Sequence, residues 1–200
     1  RMTWPETARE ARHLVSLGLA FMWSAVLVAG VGLASAALIS RHFGIEANGI
    51  YQAAWAISGV FAGFILSAMG TDFYPRLTTV AADNTALNGM VNEQTEVGIL
   101  LALPGLLGTL VFSPLVIQVF YSAKFVEAGD LLPWFVIGIF GRVIGWPLGY
   151  ILLAKGAAKW FAASETFFNV LHLAMIWIGL RWLGLRGVAI AFACLNACET

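Results

Sequence analysis

Arg142 is the residue whose type and position point most directly to chemistry. It lies near the middle of a strongly apolar stretch, residues 131–154, just before a Gly- and Pro-containing run at residues 145–149. An arginine at the centre of a membrane-spanning helix costs ~2.5–3.5 kcal/mol on insertion scales, so such residues normally face a bundle interior or a water-filled cavity. We therefore expect Arg142 to mark a substrate or ion path, as in a membrane transporter.

A second group of polar residues lies on the next apolar stretch, residues 160–180. Glu165, Asn169 and His172 follow one another at i, i+4 and i+7, which places them on one side of a helix. A short turn at residues 155–159 joins the two stretches. Counted along each helix from that turn, Arg142 lies at a depth similar to that of Asn169 and His172. We expect a polar layer shared by the two helices.

Three roles for this layer stay open. In the structural role, Arg142 pairs with Glu165 or a backbone carbonyl and only holds two helices together. In the substrate-binding role, Arg142 with Lys155 and Lys159 offers a stepwise cationic path to an anion such as a phosphate, whose oxygens the planar guanidinium matches. The third role is ion coupling, for which the candidates are Glu165, His172 and Asn169. A histidine in a membrane helix also commonly serves as a hydrogen-bonding residue between helices.

The composition places the chain in a membrane rather than in water. Hydrophobic residues make up 60% of the 200 residues and charged residues only 11%, and the mean hydropathy is +0.84. Soluble proteins contain about 25% charged residues. The formal net charge is zero, which argues against a nucleic-acid partner because such proteins need a basic face.

Long apolar runs define the elements that must position the polar layer. Each of three uncharged runs exceeds the ~20 residues that cross a ~30 Å hydrocarbon core. Two further runs carry the polar layer, and a sixth is too short to span. The runs are residues 14–40, 47–71, 97–123, 131–154, 160–180 and 187–198. The sequence thus predicts an all-α, polytopic transmembrane helix bundle of five full spans plus a truncated sixth, in a single transmembrane domain at residues 1–200 that is incomplete at both ends.

The linker at residues 72–96 is expected on the cytoplasmic side, because a weak excess of Lys and Arg places the N-terminus inside. Asp83 precedes an apolar strip within it, as a cap precedes a helix, which predicts a short interfacial helix. A plain solvated loop is the alternative. Pro75 predicts that the preceding helix ends near it. The strip consists of Leu87, Met90 and Val91.

Glycine and proline positions predict how the spans pack. GxxxG spacings at Gly59 and Gly63, and at residues 141, 145 and 149, predict faces where a neighbouring backbone approaches closely. Pro104 and Pro147 remove helix hydrogen bonds inside spans, which predicts interrupted helices of the kind found in transporters.

No catalytic or metal-binding motif stands out. The sequence contains no GxSxG elbow, no glycine-rich phosphate loop, no HExxH and no acidic cluster with metal-ligand spacing. Cys194 and Cys198 lie four residues apart, which fits small packing or lipid-facing residues better than a disulfide or a zinc site. We therefore predict that the protein is not an enzyme and uses no cofactor and no metal ion.

Several short runs together resemble the Wzx-type O-antigen translocases. These polysaccharide flippases belong to the multidrug, oligosaccharidyl-lipid and polysaccharide exporter superfamily. The resemblance implies a MATE-like fold of two pseudo-symmetric lobes around a cavity, of which this chain would be a fragment of the second lobe, unable to translocate anything alone. The runs that carry it are GIYQAA at residues 49–54, DFYPRL at 72–77, LLPWF at 131–135, WPLGY at 146–150 and LAKG at 153–156.

The resemblance also implies a function. It implies that an undecaprenyl-diphosphate-linked oligosaccharide, an O-antigen or related surface polysaccharide unit, crosses the bacterial inner membrane. Cationic residues such as Arg142, with Lys155 and Lys159, would then bind the diphosphate or an anionic sugar. The expected partners are the lipid-linked oligosaccharide, membrane lipids and polysaccharide assembly proteins. An ion-coupled multidrug exporter of the same superfamily and a membrane-embedded glycan polymerase are the alternatives.

Overall fold

In the part that its structure describes, the protein consists of helices joined by short turns. The computed structural model describes residues 4–120, 125 and 127–199. Within them lie four helices, and each is long and apolar enough to cross a membrane. They are α1 (Trp4–Thr79), α2 (Asn84–Phe120), α3 (Ala128–Ala154) and α4 (Ala158–Glu199). The all-α fold class predicted from the sequence is confirmed.

The expected count of five spans and a truncated sixth is not matched by these four helices. Two of the expected loops, near residues 41–46 and 181–186, are absent from the described chain, which stays helical there except at one glycine each. Gly44 (φ 88°, ψ 172°) interrupts α1, and Gly184 (φ 63°, ψ −144°) interrupts α4. Glycine adopts positive φ without the steric penalty of a Cβ, so a single residue replaces each loop.

The chain folds back on itself at both glycines. Gly179 and Gly187 would lie about 12 Å apart in a straight helix, yet a Cβ on either would collide with the backbone carbonyl of the other. Val31 and Trp55 would be about 36 Å apart in a straight helix, yet both line one cavity. Residues 45–79 therefore return alongside residues 4–43 of α1, and the end of α4 returns alongside its own middle.

The start of α2 differs from both sequence interpretations of the linker. The Asp83 side chain accepts hydrogen bonds from the backbone N–H groups of Thr85 (2.8 Å) and Ala86 (3.2 Å). Capping of this kind satisfies donors that have no partner inside the helix. The helix then runs without a break to Phe120, so the region is neither a solvated loop nor a separate interfacial helix. The apolar strip packs on the end of α1, where Leu87 and Val91 are buried with Phe73 and Leu77.

The prolines do not interrupt the helices. Pro75 lies inside α1, which ends only at Thr79, and Pro104 and Pro147 lie inside α2 and α3. The predictions of a helix end at Pro75 and of interrupted helices at the other two are therefore wrong. Proline removes one donor, and neighbouring groups in a bundle can satisfy the carbonyl it frees.

Helix α3 packs against each of the other three helices, as the longer, folded-back α1 also does. Phe135 is fully buried there. Its ring centroid lies 5.5 Å from those of Tyr51 and Trp55 on α1 and 5.9 Å from that of Phe192 on α4. This aromatic cluster fixes the rotation of α3, and with it the direction of the polar positions on its other faces.

Some of the glycines predicted to contact a neighbouring helix do so, and others face open space. A Cβ on Gly141 would lie 3.1 Å from the backbone oxygen of Asn196, so the close approach predicted there is confirmed. At Gly59, Gly63 and Gly149 a Cβ would meet nothing within 4 Å, so the prediction is wrong for these three. Gly59 and Gly63 face a groove instead of a neighbouring helix. Cys194 and Cys198 are free and exposed.

Candidate functional site

A polar cavity of about 230 Å³ lies between α1, α3 and α4. Arg142 reaches it from α3, and Glu165, Asn169 and His172 reach it from α4. The polar layer expected from helix spacing is therefore present. It forms because α3 and α4 run antiparallel from the short turn at residues 155–157, which sets the depth of one helix against the other.

Glu165 is held by α1 and not by Arg142. Its carboxylate accepts a hydrogen bond from the Ser24 hydroxyl, and one residue further along Trp23 donates to the Thr166 hydroxyl at 2.9 Å. Arg142 and Glu165 form no ion pair in the described part of the chain. The structural role in which these two residues pair is therefore wrong, and the Ser24–Glu165 and Trp23–Thr166 hydrogen bonds join α1 to α4 instead.

Asn169 and His172 complete the α4 side of the cavity. The Asn169 side-chain nitrogen donates to the backbone carbonyl of Glu165 at 2.8 Å. The side-chain oxygen of Asn169 takes no part in this hydrogen bond. The imidazole of His172 packs on Phe192, with ring centroids 5.9 Å apart. Both side chains are half-buried. They present hydrogen-bonding groups to the cavity from a largely apolar helix face.

Arg142 is exposed although it lies near the middle of the 27-residue α3. Among the described residues its guanidinium takes part in no hydrogen bond and no ion pair that would have to be broken before a ligand binds. A guanidinium offers five donors in a planar fork suited to carboxylate or phosphate oxygens. The arrangement can therefore bind an anion at this depth.

Arg142 also lines a second, larger opening, of about 770 Å³, between residues 55–71 of α1 and α3. We call this opening the glycine groove. Trp55 and Arg142 are common to the groove and the polar cavity, so they separate the two. The other lining residues are mostly small or apolar, and include Gly59, Gly63, Leu66, Ile139, Trp146 and Tyr150.

Lys155 and Lys159 lie away from both cavities, at the turn between α3 and α4. The Lys155 ammonium donates to the Asn84 side chain at 2.6 Å, and Lys159 is exposed in the first turn of α4. Thirteen residues separate Lys155 from Arg142 on α3, which is about 20 Å along a helix. The structure thus does not bring these lysines together with Arg142.

Three further cavity residues were not identified from the sequence. Ser35 and Asn196 are buried, and Gln52 is exposed, and all three line the polar cavity. The signal that could have found Gln52 and Asn196 is an amide within an otherwise apolar run, since such groups need partners in a membrane. Ser35 gives no such signal, because serine can bond to its own helix, as it does here to the Val31 carbonyl.

The described side chains form no group that suggests a metal-binding site. In the described residues no three His, Cys, Asp or Glu side chains lie close enough together to hold a metal ion. The cavity is lined instead by one guanidinium, one carboxylate, one imidazole and several amides and hydroxyls. These groups suit a hydroxyl-rich or anionic ligand.

Comparison with known sequences gives one match. The model of a family described as polysaccharide biosynthesis protein matches residues 1–130, which comprise α1, α2 and the start of α3. No curated protein and no solved structure matches the chain. The matched part contributes Ser24, Ser35, Gln52 and Trp55, among others, to the site. Arg142, Glu165 and the rest of the polar layer lie beyond it.

Proposed function

The chain belongs to the polysaccharide biosynthesis protein family, and from this premise we propose that it acts as a flippase. The cargo is an undecaprenyl-diphosphate-linked oligosaccharide, an O-antigen or related surface polysaccharide unit, and the membrane is the bacterial inner membrane. Its helices make it a multi-pass membrane protein. The observation that carries the proposal is Arg142, a cation that has no ion-pair partner among the described residues and lies beside a polar cavity, midway along a helix long enough to cross a membrane.

The charge of Arg142 argues for an anionic ligand. An isolated cation at bilayer depth is unfavourable, so it needs water or an anion beside it. A diphosphate supplies several oxygens in a geometry that a guanidinium binds with two parallel, charge-assisted hydrogen bonds. In this proposal Lys155 and Lys159, about 20 Å away at one end of α3, meet the head group at the mouth before it reaches Arg142.

The neutral polar groups of the cavity argue for a sugar beside the diphosphate. Gln52, Asn169 and Asn196 each carry an amide, which both donates and accepts hydrogen bonds. Trp55 adds an aromatic surface with a polar edge. Hydroxyl-rich rings need both kinds of contact. Glu165, His172 and Asn169 are the groups that we assign to ion coupling.

A second candidate, an ion-coupled multidrug exporter, is favoured by one observation, the Glu165 carboxylate in the cavity wall. A carboxylate would attract organic cations, but Arg142 in the same wall would repel them. The glycan polymerase alternative needs room for a catalytic domain. Residues 80–83, which separate the described helices α1 and α2, leave no room for one at that connection.

Substitution of Arg142 in the complete protein tests the proposal. We expect Arg142→Ala to abolish surface glycan export and Arg142→Lys to retain part of it, because a lysine keeps the charge but not the two-pronged geometry. Arg181→Ala is the matched control, because Arg181 stacks on Trp177 at 4.5 Å and lines neither cavity. Normal export by Arg142→Ala at normal expression would refute the proposal.

A further inference from the structure

We propose that the glycine groove binds the first isoprene units of a prenyl diphosphate whose diphosphate lies on Arg142 and whose sugar enters the polar cavity. This inference rests on the proposed function and adds a site to it. The apolar chain of the cargo then lies against the protein between α1 and α3 during translocation, instead of remaining entirely in the surrounding lipid.

The shape of the groove suits a flexible apolar chain. A Cβ on Gly59 or Gly63 would meet nothing within 4 Å, so this part of α1 presents bare backbone to open space. At the other end Gly70 lies under Trp146, where a Cβ would come within 3.2 Å of the indole ring. The volume of about 770 Å³ falls within the ~300–1,000 Å³ range of small-molecule sites.

Close packing favours a prenyl chain lying in this groove over the same chain surrounded by lipid. In a bilayer the hydrophobic effect does not drive apolar groups together, so association depends on van der Waals contact with small, smooth surfaces. Glycines at positions 59 and 63 provide such a surface. The Trp146 and Tyr150 rings, with centroids 4.6 Å apart, provide a wall on the α3 side. A methyl-branched, unsaturated chain can follow a wall of this kind.

The charge and polarity of the glycine groove and the polar cavity indicate an amphiphilic ligand. The groove is lined by Arg142 and by no acidic residue among those described. Beyond Arg142 and Trp55, the adjoining polar cavity carries amides, hydroxyls, the His172 imidazole and the Glu165 carboxylate, which accepts a hydrogen bond from Ser24. A ligand that fits both has an apolar chain, an anionic junction and a polar head in that order, which is the order of groups in a prenyl-diphosphate glycan.

The depth of Arg142 distinguishes this ligand from an ordinary phospholipid. Arg142 lies 14 residues after Ala128 and 12 before Ala154, so it is roughly 20 Å from either end of α3. The head group of a resting phospholipid stays at the membrane surface, about 15 Å from the centre of the hydrocarbon core. Only an amphiphile on its way across would bring its phosphate to this residue.

Photo-crosslinking of the complete protein in phosphatidylglycerol-containing vesicles tests the groove. The probe is a prenyl diphosphate with a photoreactive group on its first isoprene unit, and mass spectrometry locates the adducts. We expect adducts on residues 56–71 and 139–150. Gly63→Leu fills the groove and should lower the yield roughly tenfold, equivalent to about 1.4 kcal/mol. Gly108→Leu on α2 is the matched control, since a Cβ there also meets nothing within 4 Å.

Any of three results would refute prenyl binding in the glycine groove. They are adducts mainly on α2, an unchanged crosslinking yield with Gly63→Leu, and competition by added phosphatidylglycerol equal to that by unlabelled prenyl diphosphate. Gly59→Leu replaces Gly63→Leu if the latter does not fold by size-exclusion chromatography. The proposed function fails separately, through normal export by Arg142→Ala. If Gly63→Leu leaves the crosslinking yield unchanged while Arg142→Ala abolishes export, prenyl binding in the glycine groove is refuted and the proposed function is not.

Discussion

Arg142 and Glu165 line the same cavity but do not form an ion pair. The Glu165 carboxylate is bonded to Ser24 on α1 instead, so each of the two opposite charges can serve a different partner. Under the proposed function, Arg142 binds the anionic cargo and Glu165 is a group assigned to ion coupling. Substitutions of Glu165, of Ser24 and of the two lysines at the turn separate these two roles.

Glu165→Gln should change the pH dependence of transport while leaving the fold intact. Glutamine keeps an oxygen that can accept the Ser24 hydrogen bond, so only the titratable charge is lost. The measurement is the initial rate of transport by the complete protein against pH. Glu96→Gln is a control outside both cavities. If the Glu165→Gln and wild-type profiles coincide, Glu165 has no part in coupling.

Ser24→Ala should destabilise the packing of α1 on α4. The substitution removes the donor to the Glu165 carboxylate, and hydrogen bonds between membrane helices contribute ~0.6 kcal/mol on average and up to about 1.7. We expect a loss near the upper value because the acceptor is a carboxylate, measured by unfolding in mixed micelles. Thr109→Ala is the control, since Thr109 bonds only within its own helix, to Gly105. Equal effects of the two substitutions would contradict the assigned contact.

Gly184→Ala should destabilise the fold by about 1–3 kcal/mol, because its φ of 63° and ψ of −144° lie in a region that is favourable only for glycine. Gly187→Ala should also destabilise it, since the added Cβ would collide with the Gly179 carbonyl. Unfolding in mixed micelles measures both. Gly30→Ala is the control, because a Cβ at Gly30 has open space and φ there is not positive. Wild-type stability of Gly184→Ala would show that α4 does not reverse at this residue.

The double substitution Lys155→Ala with Lys159→Ala should lower surface glycan export less than Arg142→Ala does. Lys155 and Lys159 lie at the turn between α3 and α4, outside both cavities, so they can assist entry of an anion but cannot hold it at mid-membrane. Export is compared at equal expression. A loss as complete as that of Arg142→Ala would place the principal anion contact at the turn.

The sequence was sufficient to predict the polar layer, because helical spacing and distance from a common turn are local quantities. Arg142, Glu165, Asn169 and His172 meet as their spacing predicts. It was not sufficient to predict the hydrogen-bond partner of Glu165, which the spacing suggested would be Arg142. The competing partner, Ser24, is 141 residues away along the chain, and only the packing of α1 against α4 brings it within reach.

The helix ends show the same division. Apolar composition alone determined that the chain is helical and lies in a membrane, since lipid leaves backbone groups no partner outside the helix. Composition did not reveal that Gly44 and Gly184 would each replace a loop, nor that Pro75 would lie inside a helix, because each depends on which neighbours contact that backbone.

What the sequence by itself determined is the membrane class, the all-helical fold and the position of Arg142 midway along its helix, each of which follows from residue types and the constant rise of a helix. Tertiary structure alone decided which charges pair, and which glycines contact a neighbour and which leave space beside them. Gly141 is covered by the end of α4, whereas Gly59 and Gly63 are open. The same GxxxG spacing has these opposite outcomes because a helix contact requires a second helix beside the glycines. The spacing of residues along one helix does not show whether that second helix is there.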